Sequence, residues 1–221
     1  MGIISLEHTD HLYWLGRYSE RVYTTIGLFE ERFDSMLGLG ETEYEKYCVS
    51  QEIPNIYSSV DDFTRRYCFD EYDPNSIVSN LNRAYDNAVV LREEIGSPTL
   101  SYIQLAVYAM NKAAKSFAPL LELQKVRDNI VAFWGIADDS IDDEHVRSII
   151  KLGKRVDRID IYARLHFNEK ELKREVVKLN RRIDRTGLNY SRKCLAHINY
   201  LVEMEPLDYS TLVSEVETLM P

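Results

Sequence analysis

The feature that most constrains the fold is a long run of apolar residues with helical spacing near the N-terminus. Between His8 and Met36 the apolar positions recur at steps of three and four residues, which places them on one face of an α-helix. The seam consists of Leu12, Leu15, Ser19, Val22, Ile26, Phe29, Phe33 and Met36, of which Ser19 alone is polar. No run of useful length has the alternating period of a β-strand. The sequence therefore predicts an all-α fold, most simply an antiparallel helical bundle.

Further helices are predicted from similar stripes and from their start and stop signals. Asp73-Pro74-Asn75-Ser76 opens a long helix, because proline suits the first turn, and Gly96-Ser97-Pro98 ends it. After it we expect helices over about 99–116, 119–137, 142–167, 168–184, 190–202 and 207–219. Two short helices are predicted before it, over 43–49 and 59–67.

Composition is that of an ordinary globular protein. A chain of 221 residues, 45% apolar and 29% charged, can form a hydrophobic core without a disulfide or a metal. The 27 Lys and Arg against 36 Asp and Glu give a net charge of −9, which argues against general nucleic-acid binding. Three cysteines without paired spacing indicate reduced thiols in a cytoplasmic protein. No apolar stretch approaches the roughly 18 residues of a membrane span.

Basic residues are concentrated in one part of this acidic chain. Residues 147–193 hold 15 Lys and Arg against 6 Asp and Glu. Such a segment either faces acidic helices or water, which we favour, or forms a positive surface for an anionic ligand or an acidic partner.

Two segments of the chain resemble each other at an offset of 137 residues. Residues 15–28, LGRYSERVYTTIGL, align with residues 152–165, LGKRVDRIDIYARL. The aligned pairs include Leu15/Leu152, Gly16/Gly153, Arg17/Lys154, Glu20/Asp157 and Arg21/Arg158. This repeat predicts two related halves, about 8–137 and 142–221, within a single domain over 1–221. Glycine at the same register of both helices predicts close approach of another backbone.

The repeated helices place charged groups near the predicted interior. Glu20 follows Ser19 of the apolar seam, and Asp157 follows Val156, so both carboxylates need a cation or hydrogen bonds. The simpler interpretation, which we favour, is a set of salt bridges that fixes helix register. The other is a central polar site that binds an amine, a metal or a partner's basic group, or performs acid–base chemistry.

The first of these segments also resembles a known family. DHLYWLGRYSERVYTTIGL, residues 10–28, is similar to the opening signature L-Y-W-x-G-R-Y-x-E-R of the bacterial alpha-E domain family. DPNSIVSNLNRAYDN, residues 73–87, resembles a family helix that opens on N-S-I and ends like A-R-E-N. Residues 152–158 resemble a second L-G-R-x-x-E-R element with Lys154 for Arg and Asp157 for Glu. The chain thus resembles a short or divergent member.

The resemblance implies a helical domain that is encoded beside, or fused to, circularly permuted ATP-grasp ligases and transglutaminase-like peptidases. We therefore expect an accessory protein of an amide- or peptide-forming system, with such a ligase as its partner. Whether the chain also forms a homo-oligomer is left open. The family residues carried over are Arg17, Glu20, Arg21, Ser76, Arg83 and Asn87.

In this interpretation the two charged sets line one polar groove. Glu20 and Asp157 would hold an amino group, and the flanking Arg17, Arg21, Lys154 and Arg158 would take a carboxylate or phosphate. Ser76, Arg83 and Asn87 are the further ligand-binding candidates. Two alternatives remain: an enzyme that uses Glu20 as its catalytic acid or base, with or without a metal, and a purely structural helical interaction domain.

No other motif indicates a cofactor or a metal. Asp138-Asp139-Ser140-Ile141-Asp142 has the DDxxD spacing of magnesium sites in isoprenoid synthases, but an acidic loop before a helix N-terminus explains it better. No His stands three residues after a Glu, as a di-metal bundle requires, and no P-loop, Rossmann fingerprint or nucleophile elbow occurs.

Overall fold

The structure, a computed structural model, describes residues 5–39 and 42–220, with side chains for 5–31 and 43–220. Within these ranges it has ten α-helices and no strand, which confirms the predicted all-α class. The helices are α1 (Leu6–Leu39), α2 (Thr42–Ser50), α3 (Val60–Phe69), α4 (Ile77–Val90), α5 (Arg92–Ala113), α6 (Pro119–Ser140), α7 (Glu144–Arg164), α8 (Glu169–Ile183), α9 (Arg192–Leu201) and α10 (Tyr209–Glu217).

Most predicted helices begin and end within a few residues of the observed ones, but the helix predicted from Pro74 to Ile95 ends early. The stripe that continues to Ile95 suggested a single helix, but the chain leaves helical geometry at Leu91, where α4 gives way to α5. The predicted break at Gly96 is confirmed, because its backbone leaves helical geometry at φ 75° and ψ 154° and divides α5 into two helical stretches. Glycine reaches this left-handed region without a steric penalty. The side chains of Phe33 and Met36 lie outside the described residues.

Helices α1 and α7 cross at the centre of the fold with their backbones in contact. A Cβ atom on Gly16 would lie 2.0 Å from the carbonyl oxygen of Ile150, and one on Gly153 would lie 2.1 Å from that of Tyr13. The predicted close approach at both glycines is thereby confirmed. The two contacts are counterparts at the offset of 137 residues, because Tyr13 corresponds to Ile150 and Gly16 to Gly153. Helix α1 also packs against α4 and α6, and α7 packs against α8 and α10.

Side chains at the helix starts explain several boundaries. Ser76 Oγ accepts the backbone N–H of Ser79 at 3.1 Å and so caps α4. Asp143 caps α7 in the same way, accepting the N–H of His145 at 2.7 Å. Such caps satisfy N–H groups that have no partner inside the helix.

Several basic side chains of residues 147–193 are paired with acids. Lys151 contacts Asp138, and Arg155 Nη1 lies 2.6 Å from Glu175 Oε2. These pairs agree with the expectation that the basic helices face acidic groups. Of the DDxxD run, Asp138 is paired with Lys151, and Asp143, the residue directly after the run, caps α7.

Two kinds of special environment are absent from the described ranges. No group of three or more His, Cys, Asp and Glu side chains there is placed to hold a metal ion. None of the helices in those ranges combines the length and the apolar character needed to cross a membrane.

Candidate functional site

The carboxylate of Glu20 is fully buried at the crossing of α1 and α7. The guanidinium of Arg158 on α7 binds its Oε1 atom, and Lys154 Nζ lies 3.6 Å from Oε2. Thr24, one turn along α1, donates its hydroxyl to Oε1 at 2.9 Å. Glu20 therefore has cationic partners from the opposite helix, as its position beside the seam required.

Asp157 is held in the same manner from the other side. Arg21 donates to its Oδ1 atom through Nε at 3.1 Å and Nη2 at 2.9 Å, and Arg17 Nε donates at 3.3 Å. Arg21 Nη2 also donates to Asp160 Oδ2 at 2.7 Å. The two arrangements correspond, because the alignment of the two segments pairs Arg17 with Lys154 and Arg21 with Arg158. The two carboxylates share none of these four cations.

A cavity of about 520 Å³ opens on the Asp157 side of the crossing. Its charged lining consists of four arginines and four carboxylates: Arg17, Arg21, Arg83, Arg164, Asp157, Asp160, Glu52 and Glu217. The remaining wall includes Trp14, Tyr18, Tyr67, Asn75 and Asn80. Glu20, Lys154 and Arg158 do not line it. The residues that the sequence placed in one groove are therefore divided. Asp157 with Arg17 and Arg21, the Asp157 set, faces the cavity, whereas Glu20 with Lys154 and Arg158, the Glu20 set, does not.

The comparison with known families bears on the same residues. The sequence model of one family, described as a predicted alpha-helical domain with a conserved ER motif, matches residues 8–186. The chain belongs to the Alpha-E family. Neither the curated proteins nor the solved structures gave a match to the chain. In this Alpha-E domain the pair Glu20-Arg21 has a clear physical role, because its two side chains bind opposite charges of α7 on two sides of the crossing.

Burial and neighbouring charges oppose each other in the Alpha-E charged sets. Burial disfavours the guanidinium charges of Arg17 and Arg21, but the nearby carboxylates of Asp157 and Asp160 outweigh it, so the pKa of each arginine is raised. Burial lowers the pKa of Lys154 to about 8, despite the opposing effect of Glu20. The Lys154 ammonium lies 4.0 Å over the ring of Trp134.

The three ligand-binding candidates within residues 73–87 do not lie together. Ser76 is the buried cap of α4 described above, whereas Arg83 lines the cavity. Arg83 Nη1 donates to the carbonyl of Pro74 at 2.8 Å, and no carboxylate among the described residues pairs with it. Asn87 is hydrogen-bonded to His11 at 2.6 Å and lines a shallower neighbouring groove.

Sequence reasoning missed several groups of the cavity. Asp160 and Arg164 follow Asp157 by three and seven residues, so they share its helix face, and this spacing was a usable signal. Arg164 binds Asp160 at 2.8 Å and Glu52 at 2.8 Å. Glu52 and Glu217 come from distant parts of the chain, and nothing local in the sequence pointed to them.

Proposed function

We propose that this Alpha-E protein is an accessory or partner protein of an ATP-grasp-type ligase system that forms amide or peptide bonds. Its role in that system is to bind an amino- or carboxylate-bearing small molecule or peptide in the cavity beside Asp157. The observation that carries the binding role is a volume of about 520 Å³ walled by guanidinium and carboxylate groups. Arginine binds carboxylates through two parallel hydrogen bonds, and carboxylates bind amines.

The size and the burial of the site support this role. Pockets for small ligands have volumes of about 300–1,000 Å³ and combine fixed polar groups with surrounding walls. Asp157 is 1% exposed, yet its side chain belongs to the cavity wall. The substrates and products of an amide-forming ligase carry amine, carboxylate and amide groups, and these match the charges of this wall.

We further propose that the domain arose from two related halves. The reciprocal glycine contacts and the matching ion pairs of α1 and α7 support this interpretation. The halves have since diverged in role, with the Glu20 set stabilising the crossing and the Asp157 set facing the cavity.

A purely structural interaction domain is the second candidate, and the Glu20 set favours it. The Glu20 carboxylate already binds Arg158 and Thr24 and is fully buried, which is the arrangement of a salt bridge that fixes helix register. A catalytic role for Glu20 stays a prediction. It requires that Arg158 release the carboxylate when substrate binds.

Co-purification from the native host tests the proposed function. We expect mass spectrometry to find an ATP-grasp ligase and a trapped small molecule with the wild-type protein. The Asp157→Asn variant should keep the ligase and lose the small molecule. Glu203→Gln, at an exposed site outside the cavity, is the matched control and should keep both.

Circular dichroism of each variant establishes that it is folded. Recovery of the wild-type protein with neither a ligase nor a small molecule would leave only the structural candidate.

A further inference from the structure

This inference rests on the proposed function and specifies which chemical groups the ligand of the cavity carries. We propose that the cavity takes a short peptide with a free ammonium group, a free carboxylate and an apolar side chain. The ammonium binds Asp157, the carboxylate binds Arg83, and the apolar side chain lies on the Trp14–Tyr18 ring pair.

Asp157 provides the position for the ammonium. All three hydrogen bonds from Arg17 and Arg21 go to its Oδ1 atom, and the buried Oδ2 atom has no hydrogen-bond partner among the described residues. An unpaired buried carboxylate oxygen is costly, and a bound donor removes the cost. Because the side chain is 1% exposed and lines the cavity, that donor is expected to enter through the cavity.

The charges around Asp157 favour a cationic donor over a neutral one. In the described cavity wall, Arg17, Arg21 and Arg164 form ion pairs with four carboxylates, so this paired cluster has one negative charge in excess. A ligand ammonium neutralises that excess. The remaining cation of the wall, Arg83, is not part of the cluster.

Arg83 provides the position for the carboxylate. One of its guanidinium nitrogens donates to the Pro74 carbonyl, and the group lies 5.7 Å from the centre of the Tyr18 ring. This fixes the guanidinium while leaving further N–H donors for a ligand. A zwitterion bound between Asp157 and Arg83 therefore satisfies both charges with no change in the net charge of the site.

Trp14 and Tyr18 provide an apolar surface beside Arg83. All three residues line both the cavity and the adjoining groove, which has a volume of about 360 Å³ and also includes Val90. The two rings stack with their centroids 5.3 Å apart, and Trp14 is 39% exposed although it is a large apolar residue. Aromatic side chains at such a junction bury apolar groups of a ligand while polar groups occupy the cavity.

Titration calorimetry of the 221-residue chain with four peptides tests the assignment. The probes are L-leucyl-L-leucine, its N-acetyl derivative, its C-terminal amide, and glycylglycine. We expect L-leucyl-L-leucine to bind at least tenfold more tightly than each of the other three, since each lacks one of the recognised groups. Equal affinities for the four, or binding of none, would overturn the proposal.

Matched variants assign each end of the ligand. In Arg83→Met the penalty for C-terminal amidation should disappear while the penalty for N-acetylation remains, and Asp157→Asn should show the reverse. Trp14→Ala should remove the preference over glycylglycine. If Asp157→Asn does not fold, the other two variants and the four peptides on wild-type protein still decide the question. An unchanged amidation penalty in Arg83→Met contradicts the assignment.

This experiment is independent of the partner. A ligase that co-purifies with a protein unable to bind the peptides would refute the ligand class alone, and peptide binding without a ligase would refute the partnership alone.

Discussion

Replacing Gly16 with alanine is expected to destabilise the protein although alanine is the better helix former. The new Cβ would lie 2.0 Å from the backbone oxygen of Ile150, whereas ordinary contacts begin near 3.4 Å. Because the neighbour is backbone, α1 and α7 must separate by more than an ångström rather than repack a side chain. Overpacking of this kind typically costs about 1–3 kcal/mol, and we take the upper end, about 3 kcal/mol, because ion pairs span the same interface. Removing the helical glycine returns about 1 kcal/mol, which leaves a loss of about 2 kcal/mol.

Urea unfolding followed by circular dichroism measures this loss. Gly135→Ala is the matched control, because Gly135 lies in α6 with nothing within 4 Å of its Cβ position. That variant should gain about 0.5–1 kcal/mol from helix propensity alone. Gly153→Ala should resemble Gly16→Ala, since its Cβ would meet the oxygen of Tyr13 at 2.1 Å. The double variant should lose less than the sum, because one separation of the helices relieves both clashes. A Gly16→Ala protein as stable as Gly135→Ala would refute the reasoning.

Three further predictions follow from the charged sets and from a helix cap. Glu20→Gln breaks the buried pair with Arg158 and should lower the free energy of unfolding in urea by about 3 kcal/mol; an unchanged value would show that the pair contributes no stability. The pKa of Lys154 is about 8 in the folded protein, against an ordinary value of 10.5, so between these pH values the unfolded chain binds the Lys154 proton more tightly than the folded protein does. The free energy of unfolding should therefore rise from pH 8 to 10.5, relative to that of Lys154→Met. A flat difference between the two proteins contradicts this. Ser76→Ala removes the cap on the Ser79 N–H and should cost about 1 kcal/mol in the same assay, and an unchanged free energy of unfolding would show that the cap contributes no stability.

The contact between α1 and α7 could be predicted from the sequence because it depends on local sequence patterns. The apolar seam fixed which face of α1 is buried, and the residue beside Ser19 therefore had to be close to the interior. Glycine at equivalent places of two similar helices pointed to backbone contact, which the positions of Gly16 and Gly153 confirm. These inferences need only the period of a helix and the cost of a buried charge.

The cavity could not be predicted in the same way. Which of two similar charged sets opens to a cavity depends on what packs over it, and Glu52 and Glu217 reach Arg164 from segments more than 50 residues away on either side. Tertiary packing also decides where α4 ends, since the apolar stripe continues through Leu91 to Ile95 without a signal.

The two sets differ by a single carbon in their acids. Glu20 binds Arg158 across the interface, whereas the aspartate at 157, one methylene shorter, binds the arginines of α1. The cavity lies beside the shorter acid, Asp157. Asp157→Glu would equalise the two acids and lengthen the reach of this carboxylate, so a change as mild as one methylene is expected to alter which ligands fit.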